Sequence, residues 1–513
     1  MHYVRITVIV ACCISLYAPP PPPPYTCSYT CTTDPLEQIY PNQNMCLLLS
    51  EIPTALQGLD YVMYPNCDVY NTNRFSYNKR FNYFPHAIIV PRTESEMQYA
   101  FSVLKNNKLP FSVRSGGHCY EPGSLSTGYI IDLRNFNSIV PDVSTQTAFI
   151  GAGCHLGDVI EALGALDYAI PTGTCPSVGV TGLALGGGIG LLARKCGLTC
   201  DSILSVRLLM ADGNIVDITQ AGYPDLFWAL CGAGANAYGI VLGFTFRMYH
   251  LPVVSLLQLT WPWNPTVVKQ IIEAWQAWFP QQSRDITSEI VPIYNRGVLQ
   301  LKMNALKANG QPFTEWETTF DKFDPIVNLY TGSYLGAAEL FASNYTMSFS
   351  KVKSLFPFSP ITEAGLDTLI NFFTQLQYNP CDYLMFFDLG GAQGGAIQDG
   401  DSAYFPRNAF AWIFDFIYWP EQQQGQMCIN LARKVYQQLE PFTSPYSYAN
   451  LVDYELGADY LHAYYGNHVE RLISIKNKYD PTNIFTWAQG IPLVYVPKSE
   501  ITQKIQRKYC VSR

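Results

Sequence analysis

The stretch from Gly173 to Gly197, GTCPSVGVTGLALGGGIGLLARKCG, places eight glycines in 25 residues. A glycine inside a helix or strand costs roughly 0.5–1 kcal/mol relative to alanine, so no continuous element can run through this segment. What glycine supplies instead is unusual dihedrals and close approach to the backbone. A second opening of the same kind, SVRSGGHCYEPGS over 112–124, sets Gly116 and Gly117 directly before His118, one of only seven histidines. Two loops stripped of side chains, one reaching His118 and the other carrying Cys175, predict a cleft that admits something large and flat. The chain around them reads as folded, with 48% hydrophobic and 14% charged residues, and its net charge of -8 leaves no electrostatic footprint for nucleic acid. At 513 residues it is long enough for two or three domains.

Residues 1–18 carry one early charge, Arg5, then an apolar run ending at the small Ala18, the layout of a secretory signal. The run is short for a bilayer, and none later reaches the ~18 uncharged apolar residues of a spanning helix. Export without a lasting membrane anchor is therefore expected. Fifteen cysteines fit an oxidising compartment. Cys27, Cys31, Cys46 and Cys67 lie outside any chemical motif and are the expected source of disulfides, with their pairing open. Asn344 begins the one glycosylation sequon. Prolines 19 to 24 make residues 19–40 a stiff leader.

HAIIVPRTESEMQYAFSVLKNNKLPFSVR, from His86, reads strand, helix, strand, with Thr93 capping a helix whose third residue is Glu96. Short strands and glycine-rich loops follow to about 250. Longer helical and strand patterns such as TVVKQIIEAWQAWF and AFAWIFDFIYW then predict a second α+β domain. HVERLISIKNKYDP reads as an amphipathic helix stopped at Asp480-Pro481.

Two matches to G-x-G-x-x-A, at Gly188 and Gly232, lack the apolar strand that a dinucleotide fingerprint requires. Cys154, His155, Cys196 and Cys200 lack four-ligand spacing, so no metal is expected. Imidazole and thiolate are both nucleophiles, which singles out His118 and Cys175.

Taken together, SVRSGGHCYEPGS, GTCPSVGVTGLALGGGIGLLARKCGL and the closing KYDPTNIFTWAQGIP resemble the berberine bridge enzyme-like family of FAD-linked oxidases, in the vanillyl-alcohol oxidase, PCMH-type flavoprotein superfamily. The resemblance covers about residues 40–495. It implies an α+β fold in which 41–253 form a PCMH-type FAD-binding domain of two α/β subdomains. Residues 254–445 would form a substrate domain with an antiparallel sheet, 446–495 a C-terminal segment returning to the FAD domain, and 496–513 a tail. It further implies FAD attached bicovalently, to His118 and Cys175. Arg114, Ser115, Gly116 and Gly117 would wrap the pyrophosphate, as backbone nests do. Ser124, Gly173, Gly182, Gly186, Gly187 and Gly188 would line the remainder, with Tyr238, Gly239 and Ile240 near the adenine and Asn450 reaching in from the C-terminal segment. Val178 takes the family's oxygen-gating position, where valine goes with oxygen reactivity, so the resemblance implies an oxidase that reduces O2 to hydrogen peroxide.

The expected base is Asp415, on a strand of the substrate domain, sharing a face with Ile413 and Ile417 by alternation. Flanked by WIF and FIYW it would be desolvated, which raises a carboxyl pKa toward neutral. The family's tyrosine after asparagine is replaced, because Leu451 follows Asn450; Tyr448 or Tyr454 would have to compensate. Cys196 also stands where an aromatic is usual. The substrate implied is a sugar, an alcohol or an alkaloid-like molecule. Two alternatives stay open: a surface or coat glycoprotein that kept the fold without catalysis, and a dehydrogenase using another acceptor.

Overall fold

The computed structural model describes residues 52–495 apart from 66, 343–346, 377, 378, 380 and 389–397. The expected signal, the proline leader, Cys27, Cys31, Cys46, the Asn344 sequon and the tail lie outside the described residues.

The helix read from TESEM starts where its cap is. Thr93 Oγ1 accepts the N–H of Glu96 at 3.2 Å, opening the helix Glu94–Asn106. The Glu96 carboxylate reaches back one residue further than a capping box requires, to the N–H of Arg92 at 2.7 Å. Met97, Ala100, Phe101 and Leu104 recur at helical spacing and are fully buried. They press on a four-stranded sheet of order β1-β2-β4-β3, built from β1 (Val62–Met63), β2 (Ala87–Ile89), β3 (Phe111–Arg114) and β4 (Tyr129–Asp132). Strands β2, β3 and β4 run parallel, which is why β2 and β4 are buried at every residue.

A second sheet, of order β5-β6-β10-β8-β9, is antiparallel throughout. It contains β5 (Ile139–Asp142), β6 (Thr147–Gly151), β8 (Ile203–Met210), β9 (Ile215–Thr219) and β10 (Gly239–Arg247). The short β7 (Tyr168–Ala169) pairs with β11 (Tyr249–His250). The chain then enters a seven-stranded antiparallel sheet of order β15-β12-β14-β13-β17-β18-β16. Its strands are β12 (Val254–Pro262), β13 (Ile286–Asn295), β14 (Val298–Lys307), β15 (Ile326–Gly332), β16 (Phe349–Leu355), β17 (Asp382–Asp388) and β18 (Trp412–Trp419).

Helices Pro265–Trp278, Glu363–Thr374 and Gly425–Leu439 cover one face of this sheet. Its other face turns toward the first two sheets, and Val291, Val352, Leu384, Trp412 and Phe416 join their core. Burying a side chain of this size contributes roughly 1.5–3 kcal/mol, so docking the sheet is driven by the same effect that forms each half. A disulfide that no sequence pattern signalled, Cys381–Cys428, ties the start of β17 to the helix above it.

The C-terminal segment returns across both halves. Ser447 Oγ donates to the Ser354 carbonyl at the end of β16, and the final helix, Val469–Tyr479, is fastened to the earlier core by Lys476. That wholly buried ammonium donates to the Ala237 carbonyl at 2.8 Å and to Asp480 at 2.6 Å. Asp480 in turn accepts the N–H groups of Ile484 and Phe485, which is how the Asp-Pro stop becomes a turn.

Charge is buried where the segments meet. Lys351 and Lys353 on β16 both bind Asp453, at 2.5 and 2.7 Å, and Lys351 also binds Glu121, three residues past His118, at 2.9 Å. Glu455 completes the group, and although burial works against ionisation, Arg433 and the two lysines hold its carboxyl down at about 2. Asp132 is held at about 2 as well: burial raises it, and Arg114 and Arg134 together outweigh burial. Both folded values lie below the ordinary carboxylate range near ~4. The stability these groups supply is therefore complete above about pH 4 and is lost as pH falls toward 2. Asp415, raised to about 7 by burial, has the opposite sign and adds nothing to that acid loss. We expect the midpoint of thermal unfolding to drop steeply between about pH 4 and pH 2; a midpoint unchanged down to pH 2 would show that these pairs contribute nothing.

Candidate active site

The two glycine-rich loops meet backbone to backbone. Leaving β3, the chain passes Ser115, whose hydroxyl donates to the Ala152 carbonyl at 2.6 Å, and then runs against the other loop at Gly179. A Cβ on Gly116 would stand 2.4 Å from the Gly179 nitrogen, so this glycine is required by the crossing of the loops and not by the ligand. Gly117 follows with φ at +65°, a left-handed conformation open to glycine. The turn delivers His118 to the wall of a large cavity, stacked on Tyr77 at 3.7 Å between ring centroids. Cys175 arrives from the second loop with its Sγ 3.7 Å from His118 Nε2. Burial lowers the His118 pKa to about 4, leaving a neutral imidazole.

Most of the expected lining is in place. Ser115, Gly116, Gly117 and Ser124 reach the cavity from the first loop, and Gly173, Val178, Gly182 and Gly186 from the second. Gly239, Ile240 and Asn450 close it. A Cβ on Gly182 would meet nothing within 4 Å, so its bareness leaves room for a ligand.

Five expectations are corrected. Arg114 is not a cation for the pyrophosphate: its guanidinium is buried against Asp132 and donates to the carbonyls of Asn73 and Phe75. Tyr238 does not face the cavity, because its hydroxyl donates to the Leu472 carbonyl inside the core at 3.3 Å. Gly187 and Gly188 also lie behind the wall. A Cβ on the first would strike Tyr404 and one on the second Thr199, so both are glycines of internal packing.

The fourth correction concerns the base. Asp415 does share a face with Ile413 and Ile417, but that face lies under the helices, among Tyr383 and Met385. The Tyr383 hydroxyl donates to its carboxylate there. Its neighbours Trp412, Phe414 and Phe416 take the cavity face. The fifth concerns Tyr448, which reaches the cavity as a brace. Its oxygen accepts from the Gly188 N–H and from Asn450 Nδ2, both at 2.9 Å, while burial raises its pKa to about 12. A phenol so hard to ionise is a poor proton acceptor near neutral pH.

Glu289, which sequence reasoning missed, supplies the carboxylate that Asp415 does not. It lies on β13, lines the cavity, and burial pushes its pKa up to about 7. Asn304 Nδ2 donates to its Oε1 at 2.8 Å, and Gln258 Nε2 steadies Asn304 from behind at 3.3 Å. Strand register puts Gln258, Asn304, Glu289, Asp388 and Trp412 in one row across five strands. Beside Glu289 stands an aromatic wall. Trp412 and Phe414 stack at 5.5 Å with 13° between planes, Phe416 continues the series, and Tyr120 meets it edge-on. Leu451 adds a further apolar contact.

The cavity also holds polar groups without partners. Ser124 Oγ, Trp412 Nε1 and Trp487 Nε1 line it, are buried, and make no hydrogen bond among the described residues. A buried donor left unpaired costs roughly 1–3 kcal/mol, so these groups fit a resident ligand rich in acceptors. A cavity lined by bare backbone, a nucleophilic pair, a buried carboxylate and an aromatic wall defines an oxidoreductase built around a planar dinucleotide cofactor.

Comparison with known proteins identifies that cofactor. The FAD binding domain family matches residues 85–219, and the berberine and berberine-like family matches 447–492. The uncharacterized FAD-linked oxidoreductase YgaK of Bacillus subtilis is 30% identical over 441 residues, covering 82% of this chain and 94% of that one. Among solved structures, BBE-like 1 of Physcomitrella patens superposes with a TM-score of 0.77 at 27% identity over 85% of this chain and 97% of its own. A carbohydrate oxidase from Microdochium nivale, solved with a substrate analogue, shares the fold at 24% identity and a TM-score of 0.76, covering 84% and 97% of the two chains. The chain belongs to the berberine bridge enzyme-like family of FAD-linked oxidoreductases.

Proposed function

We propose that the protein is an exported oxidase whose FAD is held by bonds to both His118 and Cys175, and which oxidises a ring-bearing alcohol with Glu289 as the proton acceptor. The observation that carries this reading is the pairing, in one cavity, of His118 and Cys175 on one wall with Glu289 and three aromatic rings on another. Bound FAD would accept the hydride and pass its electrons to O2, giving hydrogen peroxide. The chain's own part is to orient the substrate and take its proton. Trp412, Phe414 and Phe416 offer flat faces on which a sugar ring or an aromatic ring can stack. Glu289, with a pKa near 7, is poised to accept the hydroxyl proton, and its hydrogen bond from Asn304 steadies the anion that does so. Val178 on the cavity wall agrees with an oxygen-using enzyme. Export rests on the N-terminal sequence and agrees with a disulfide among the described residues.

The test is a visible spectrum of the purified protein before and after acid precipitation, followed by anaerobic addition of sugars and of benzylic and allylic alcohols. Yellow colour that stays with the pellet, and bleaches with a substrate, is the expected result. Colour that washes into the supernatant would overturn the covalent bonds. A pellet that keeps its colour but is bleached by no member of either class would overturn the substrate assignment.

A further inference from the structure

The segment from Asn73 to Asn78 touches the His118 loop at every turn and has no part in the function so far. Arg114, at the start of the loop, donates to the carbonyls of Asn73 and Phe75 at 2.6 and 3.1 Å. The Tyr77 N–H donates to the Gly117 carbonyl at 2.9 Å. Asn78 Nδ2 donates to the Tyr120 carbonyl at 2.7 Å and to the Ser350 carbonyl on β16 at 3.0 Å, so the segment is anchored to the substrate domain as well. Between these bonds the Tyr77 ring lies flat on the imidazole of His118, 3.7 Å away and 19° from parallel, while Tyr120 meets the same imidazole edge-on at 5.9 Å. The imidazole is thus held on its face and its edge, by one ring of the 73–78 segment and by one from a residue that the segment grips.

We propose that Tyr77 is a positioning residue for His118, holding the imidazole in the single orientation from which it bonds to FAD. The inference rests on the covalent attachment proposed above. The bond forms between a ring nitrogen of His118 and a methyl carbon of FAD. The nitrogen that carries the lone pair bonds to the carbon, the other ring nitrogen gives up its proton and the carbon one hydrogen, and the two protons and two electrons so released pass to dioxygen, which becomes hydrogen peroxide. Burial keeps the imidazole neutral, the form that has a lone pair to share. A ring that leaves its stack spends part of its time in rotamers that cannot reach the carbon. Stacked pairs are worth about 0.5–1.5 kcal/mol, so losing the stack should slow attachment by about threefold to tenfold.

The full-length protein is compared as Tyr77→Phe, Tyr77→Leu and Tyr77→Ala, each also in a Cys175→Ser background where His118 is the one remaining attachment point. Mass spectrometry of the peptide holding His118 gives the flavin-bearing fraction at fixed times after FAD is added, and absorbance of the folded protein gives total FAD. The expected result is unchanged attachment in Tyr77→Phe and about threefold to tenfold slower attachment in Tyr77→Leu and Tyr77→Ala, with total FAD retained. Tyr77→Leu keeps the buried bulk, so it decides the matter if Tyr77→Ala does not fold. Attachment at the parent rate in Tyr77→Leu overturns the proposal, as does a Tyr77→Phe variant slowed to the level of Tyr77→Leu, which would assign the effect to the hydroxyl. A parent His118 peptide that never carries flavin overturns the covalent attachment itself and this inference with it.

Discussion

Glu289→Gln is expected to bind substrate and FAD but to reduce the flavin about 10²–10⁴-fold more slowly than the parent, the usual span for losing a positioned general base. Glutamine keeps the size of the side chain and can still pair with Asn304 Nδ2 through its oxygen, so the loss reports the proton acceptor and not the packing. The carboxyl is raised to about 7 by burial, with the Asn304 bond pulling the other way. Because only the ionised form accepts a proton, the rate of anaerobic reduction in the parent should climb through about pH 7 and level off above it. That limb should vanish in Glu289→Gln and persist in Asp415→Asn, although burial places the Asp415 carboxyl at about 7 too. Stopped-flow reduction across a pH series separates the two. If the loss falls on Asp415→Asn, or on Asp388→Asn at the next position in the same row, and Glu289→Gln runs at the parent rate, Glu289 is not the base.

The largest effect on stability should come from Asp453→Asn. Asp453 is 3% exposed and is bound by both Lys351 and Lys353, each itself buried. Removing one member of a buried charge group leaves the others uncompensated, which typically costs about 3–5 kcal/mol. Glu121 and Glu455 bind the same lysines and cushion part of the loss. The lower end of that range is therefore the expected value, read as a shift in the midpoint of urea unfolding. The group joins the His118 loop, β16 and the C-terminal segment, so the fraction of protein that acquires FAD should fall with stability. A shift below about 1 kcal/mol would mean that the cluster behaves like a solvated surface pair.

The correction at Asp415 shows how far a strand pattern can be read. In WIFDFIYW both alternate sets are largely apolar, Trp412, Phe414 and Phe416 in one and Ile413 and Ile417 in the other. Period-two geometry correctly groups Asp415 with the isoleucines. Nothing within the strand says which group faces the cavity, because that depends on which side the helices Glu363–Thr374 and Gly425–Leu439 cover. Glu289 was hidden for a related reason. Its row joins residues from 258 to 412 on five strands, and the order in which those strands lie side by side is set only when the sheet forms. Arg114 misled because a cation beside a glycine loop suits an anion, and its actual partner, Asp132, waits on the neighbouring parallel strand.

What the sequence alone determined is local chemistry. Glycine density set where the backbone could be approached, Thr93 and Asp480-Pro481 set where helices begin and end, and the three ordered motifs carried the family. These features act through dihedrals and neighbours a few residues away, so they survive in a linear reading. The tertiary structure alone decided which face of each strand looks into the cavity, which carboxylate is desolvated there, and that Gly116 is bare for Gly179 and not for the ligand. Those outcomes depend on contacts such as that of Gly116 with Gly179 and on which elements cover each sheet face, whose energies exist only after the sheets have docked and excluded water.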